Sequence, residues 1–132
     1  MPEELPSVLI IGAAPGAVGD VTSPYDGVRG LVTAEAASKV VHEQSDAIAS
    51  LGHPTKLFLI DLESKTRDAL HSLLTTNKFD IAVIGSGIRL MPNFLHEFEF
   101  VINELAHNGQ GVNIFLCATF RDIFETFQRA VA

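Results

Sequence analysis

Cationic side chains are scarce in this sequence, with nine Lys and Arg against sixteen Asp and Glu in 132 residues. The formal charge of −7 and pI near 5.0 set it against phosphate backbones and anionic lipid surfaces, so no nucleic-acid partner is expected. Cysteine is scarcer still: Cys117 stands alone, and no internal disulfide can form. Glu3 and Glu4 stand where a secretory signal would carry Lys or Arg, and the two features together predict a reducing, cytoplasmic setting. Long apolar runs are missing too. None approaches the roughly 20 residues that cross a bilayer, because Gly, Pro or a charge interrupts each one, so no membrane is expected as a partner. What the chain has is core material. Hydrophobic residues make up 47% and charged ones 19%, enough to offset the entropy of ordering one compact domain over residues 1–132.

Four short apolar runs, at 8–11, 57–60, 81–84 and 112–116, are β-branched or aromatic in character and too short for helices. They are continuous, not alternating, as parallel strands covered on both faces require. Helical spacing lies between them. A first helix from Thr33 as N-cap to Gly52 carries Ala37, Val40, Val41, Ile48 and Leu51; a second over 64–77 carries Ala69, Leu70, Leu73 and Leu74. Pro92 and Asn93 open a third, with Leu95, Phe98, Val101, Ile102 and Leu105 inward and Asn108-Gly109 at its end. A fourth starts near Thr119 and uses Ile123, Phe124 and Phe127. The order β-α-β-α-β-α-β-α, with right-handed crossovers, predicts a single-domain three-layer α/β sandwich of the Rossmann-like or flavodoxin-like kind. Its short parallel sheet has four strands in spatial order 2-1-3-4, with helices on both faces. Residues 13–32, rich in glycine, are too long for an ordinary connection and are expected to form a lid.

Ligands of open α/β sheets collect outside the carboxyl ends of the strands, where strand order reverses. Here that point lies between the first and third strands, whose exits are Gly12-Ala13-Ala14-Pro15-Gly16 and Gly85-Ser86-Gly87-Ile88-Arg89. Glycine admits a ligand close to the backbone, Ser86 offers a hydroxyl, and the planar fork of Arg89 suits a carboxylate or phosphate. The candidate ligand-binding set is therefore Gly12, Gly16, Gly85, Ser86, Gly87 and Arg89, with Thr119 from the fourth exit. The expected partner is a small anionic molecule. The plainer alternative is that Gly85 and Gly87 make a tight turn while Arg89 pairs with a surface acid.

Other chemistries fit poorly. Gly12, Gly16 and Gly19 are spaced G-x3-G-x2-G, and Asp61 lies 49 residues after Gly12, whereas a dinucleotide fingerprint needs G-x-G-x-x-G and an acid about 20 residues on. No P-loop Lys follows those glycines. A receiver-type phosphoacceptor needs acids where Gly12 and Gly85 stand, and a flavodoxin phosphate loop needs hydroxyls where Ala13, Ala14 and Pro15 stand. Cys117 lies too close to Arg121 for a C-x5-R phosphatase loop and reads as a small buried hydrophobe. His42, His53, His71, His96 and His107 are scattered, and His96 with Glu97 and Glu99 does not make an HExxH pair. No catalytic residue, metal or cofactor is assigned.

The segment Phe79-Asp80-Ile81-Ala82-Val83-Ile84-Gly85-Ser86-Gly87-Ile88-Arg89, followed by Pro92, Phe94-Leu95, Phe98-Glu99, Ile102-Asn103 and His107, resembles a group of small, uncharacterised bacterial α/β proteins. That group has a D-x-x-V-I-G-x-G-I-R strand exit, and the likeness extends to the neighbourhoods of Asp20-Pro24 and Gly30-Leu31-Thr33. Where such proteins carry Phe-Asn-Thr after the fourth strand, this chain has Leu116-Cys117-Ala118-Thr119. The resemblance implies that the Gly-Ile-Arg exit matters; it brings no reaction with it. A second expectation concerns self-association. Phe94, Phe98, Phe100, Phe120, Phe124 and Phe127 crowd the third and fourth helices, which predicts an outward aromatic and a homodimer through those helices, as in a receiver-like interaction module without chemistry.

Overall fold

A computed structural model describes residues 5–19, 21–22 and 31–132. Along the chain it places β1 (Val8–Ala13), α1 (Pro15–Val18), β2 (Val21–Thr22), β3 (Leu31–Val32), α2 (Ala34–Ser50), β4 (Thr55–Ile60) and α3 (Ser64–Thr76). There follow β5 (Ile81–Ile84), α4 (Ser86–Leu90), a 3-10 turn (Pro92–Phe94), α5 (Leu95–Asn108), β6 (Asn113–Leu116) and α6 (Ile123–Val131). The four apolar runs form one all-parallel sheet in the order β4-β1-β5-β6, which is the expected 2-1-3-4. Val8 lies opposite Thr55 on one side and Ile81 on the other, and Ile81 lies opposite Asn113.

Alternation along each strand sends successive side chains to opposite faces, and both faces are apolar here. Leu9, Ile11, Ala82 and Ile84 pack with Leu70 and Leu74 of α3 and Val101 and Leu105 of α5. Val8, Ile10, Ile81 and Val83 pack with Ile48 of α2 and Ile123 and Phe127 of α6. Each Val, Leu, Ile or Phe among them contributes about 1.5–3 kcal/mol when fully buried, and this two-sided burial is why the strand sequences show no polar alternation.

The first helix follows its capping signals closely, but Leu51, expected on its apolar stripe, is its C-cap and is 55% exposed. Thr33 caps α2 by accepting a hydrogen bond from Ala36 N at 3.1 Å, and Gly52 follows its end at φ +96°, a conformation that costs glycine no Cβ clash. Elsewhere the boundaries move. The third helix enters through the Pro92–Phe94 turn, which puts Phe94 fully inside and leaves Leu95 55% exposed; the inward expectation for Leu95 is corrected to Phe94. Ala69 of α3 is exposed as well. The fourth helix begins at Ile123, four residues after Thr119, because Asp122 holds 118–122 as a turn by accepting from Ala118 N and Thr119 N. Within 13–32, residues expected to be irregular form α1 and an antiparallel pair of β2 and β3. Residue 20 and residues 23–30, the middle of the expected lid, lie outside the described residues.

Gln44 of α2 ties this turn to the rest of the fold. Its Nε2 donates to Phe120 O at 2.7 Å, and its Oε1 accepts from Phe124 N at 3.1 Å. A side chain 80 residues upstream thus satisfies one of the amides that the first turn of α6 leaves without a helical partner. The sheet edges differ in protection. Edge strand β4 carries exposed Lys56, whereas edge strand β6 carries no charge and leaves Ile114 and Leu116 38% and 43% exposed. Among the described residues, no helix is long and apolar enough to cross a membrane.

Candidate functional site

At the carboxyl ends of β1 and β5 lies a cavity of about 100 Å³. It passes over the strand ends from one face of the sheet to the other, since its wall includes Ile10 of one core cluster and Ile11 of the other. Gly12, Gly85, Ser86 and Gly87 line it, as the exits of the first and third strands predict. Gly16, Arg89 and Thr119 are not part of its wall. The wall is otherwise apolar, with Val18 from α1, Val41 from α2, Leu90 and Met91 at the end of α4, and Phe120 from the turn before α6.

The glycines define its shape. Gly85 has φ −68°, and the positive-φ glycines among the described residues are Gly19, Gly52 and Gly111, so backbone strain demands glycine at none of positions 12, 85 and 87. Crowding does not demand it either. A Cβ added at Gly12 would lie 3.5 Å from Leu59 Cδ2, at Gly85 3.5 Å from Gly12 Cα, and at Gly87 3.4 Å from Ala13 Cβ, all at ordinary contact distance. Gly87 also sits inside a helix, where glycine costs about 1 kcal/mol relative to alanine. What these three positions share is that their missing side chains leave the cavity open.

Ser86 is the polar member of this group. It is 7% exposed and lines the cavity, and its hydroxyl has no hydrogen-bond partner among the described residues. Arg89 points elsewhere. Its Nη2 donates to Cys117 O at 2.6 Å, tying α4 to the exit of β6, and its Nε is buried without a partner. Arg121, by contrast, is exposed, with Cζ 4.7 Å from the ring centroid of Phe120, the residue that walls the cavity. Thr119 serves the turn, where its Oγ1 accepts from Arg121 N at 3.0 Å.

The residues set aside on sequence grounds have structural work. Asp61 accepts from Thr66 Oγ1 and Glu63 N at the start of α3, and those bonds hold its carboxyl below the usual range. Cys117 is fully buried, and burial pushes its thiol up to about 12. His53 is half-buried, its Nδ1 2.8 Å from Pro6 O and its ring 4.7 Å from that of Phe127; His42, His71, His96 and His107 are exposed. Among the described residues no group of three His, Cys, Asp or Glu side chains is placed to hold a metal.

The site contains more than the strand exits suggested. Reading 86–90 as loop hid the fact that Gly87, Leu90 and Met91 share a helical face at i, i+3 and i+4. Phe120 carried no such signal, since its place depends on Gln44 and Asp122. The fold and site define a three-layer α/β protein with an apolar cavity at the reversal point of its strand order. Compared with known proteins, the chain matches no family model, no curated protein and no solved structure.

Proposed function

We propose that this is a small-molecule-binding α/β domain, of the Rossmann-like or flavodoxin-like kind and cytoplasmic, with its ligand at the carboxyl ends of β1 and β5. The observation that carries this is the set of three cavity-lining glycines, 12, 85 and 87, that neither backbone conformation nor crowding requires. The apolar body of the ligand occupies the cavity. An anionic group on it would fall at the rim, where Arg121 is exposed, and Arg89 would join only by releasing Cys117 O. A thermal-shift screen of small organic compounds tests this, because a ligand that binds only the folded state raises Tm. Gly87→Ala should leave stability within about 1 kcal/mol yet weaken the hits at least tenfold by placing a methyl beside Ala13. Hits that bind Gly87→Ala and Gly12→Val as well as they bind the parent would place the ligand elsewhere and defeat the proposal.

The alternative is a homodimer module without chemistry, and a different surface from the expected one favours it. Of the helix aromatics, Phe94 and Phe127 are 0% and 1% exposed, and Phe98, Phe100, Phe120 and Phe124 are half-buried. The uncharged edge strand β6 exposes Ile114 and Leu116 instead. Antiparallel pairing of two β6 strands about a twofold axis would cover the same four residues in each copy, although Arg129 Nη2, 3.2 Å from Leu116 O, would have to give way. Sedimentation at tens of micromolar should then show a dimer that Ile114→Lys converts to monomer. A monomer in the parent protein removes this alternative.

A further inference from the structure

Of the other features, the open groove around Leu5, Pro6, His53 and Val131 at the amino ends of the strands has His53 bonded to Pro6 O and Asp80 to Ser7, and its remaining polar side chain, Asn113, is exposed to solvent. The half-buried pair Arg67–Glu97, 2.7 Å apart, is satisfied and joins α3 to α5. The cavity is different, because it combines a limited volume, glycine backbone in its wall and one hydroxyl without a protein partner among the described residues.

Volume sets the scale of the occupant first. A space of about 100 Å³ is of the same order as an engineered apolar cavity of about 150 Å³ that admits benzene, so one six-membered ring fills it and a second fused ring projects beyond it. Wall shape comes next. Among its branched apolar side chains, Gly12, Gly85 and Gly87 present bare backbone, against which a flat molecule can lie. Phe120 and Met91 also line it, and both side-chain types contact aromatic rings favourably, by offset or edge-to-face packing and by sulfur-to-ring contact.

The hydroxyl then sets the functional group. Ser86 lines the cavity at 7% exposure, and its Oγ has no protein partner among the described residues while keeping accessible surface of its own, so it is free to meet a ligand. A ligand oxygen within reach would satisfy it, donating to or accepting from Oγ as the hydroxyl rotates. We propose that the cavity selects a monocyclic aromatic compound bearing one oxygen function, a phenol or an aryl carbonyl, with Ser86 as the specificity-determining residue. This rests on the cavity being the ligand site proposed above.

Titration calorimetry with phenol, toluene and 1-naphthol on the parent protein and Ser86→Ala tests the proposal. Phenol should bind the parent several-fold to tenfold more tightly than toluene, the worth of one net hydrogen bond, and 1-naphthol should bind at least tenfold more weakly than phenol. Ser86→Ala should bring phenol down to the affinity of toluene while leaving toluene unchanged. If 1-naphthol binds as tightly as phenol, or if Ser86→Ala leaves the phenol-to-toluene ratio intact, the assignment of ligand class is overturned while the site itself stands. If none of the three binds the parent and the wider screen also finds no compound that Gly87→Ala weakens, the ligand site and this inference fall together.

Discussion

Phe127→Ala is expected to lower the free energy of unfolding by about 3–5 kcal/mol, the usual cost of truncating a fully buried phenylalanine. Phe127 is 1% exposed on α6 and packs with Val8, Ile10, Ile48 and Val83 from three other elements. Its ring also meets His53 edge-on at 4.7 Å and Phe124 at 5.9 Å, so the truncation opens a void where α2, α6 and the sheet converge. Small domains have only about 5–15 kcal/mol of stability in total, and the loss is therefore a large fraction of it. Phe124→Ala, at a half-buried site on the same helix, should cost distinctly less. Urea denaturation decides it: the Phe127 variant should shift its midpoint far more than the Phe124 variant, with both slopes close to that of the parent. Equal small shifts would mean that α6 does not cover this face of the sheet.

Cys117 should react with a thiol reagent at neutral pH about a thousandfold more slowly in the folded protein than in the unfolded chain. Burial raises its pKa from 9.0 to about 12, which cuts the reactive thiolate by about three powers of ten. The same displacement gives a pH dependence. Below pH 9 the thiol is protonated in both states and contributes no slope. Between pH 9 and about 12 the unfolded chain loses the proton while the folded protein keeps it, so stability falls as pH rises, by about 1.4 kcal/mol per unit from this group. Cys117→Ala should remove that part of the alkaline slope. Denaturant titrations of the two proteins at pH 8, 9 and 10 measure the difference, and parallel curves would show a thiol that titrates normally.

Much of the fold is legible in the sequence, for a physical reason. A strand buried on both faces must be apolar at every position, so 8–11 and 81–84 stand out as unbroken runs, and the reversal of strand order then locates the crevice between Gly12 and Gly85. Thr33 and Gly52 mark α2 because capping and positive φ are local demands. Other features depend on partners distant in the chain. Leu95 and Phe94 are equally apolar, and a single 3-10 turn decides which of them faces inward. The destination of Arg89 was illegible because a guanidinium serves a ligand anion and a backbone carbonyl equally well, and the carbonyl it meets belongs to Cys117, 28 residues later. Phe120 reaches the cavity through bonds made by Asp122 and Gln44 to its turn, and no pattern of spacing encodes that.

The two bonds of Gln44 have a thermodynamic consequence beyond holding the turn. One amide side chain on α2 grips Phe120 O and Phe124 N together, so the cavity wall and the first turn of α6 cannot loosen independently. A local opening that swings Phe120 away must also release the amide of Phe124, which links the lifetime of the closed cavity to the fraying of a helix on the far side of the sheet from α3 and α5. Occupancy of the cavity would therefore be registered as slower hydrogen exchange at Phe124, an amide that does not itself line the cavity.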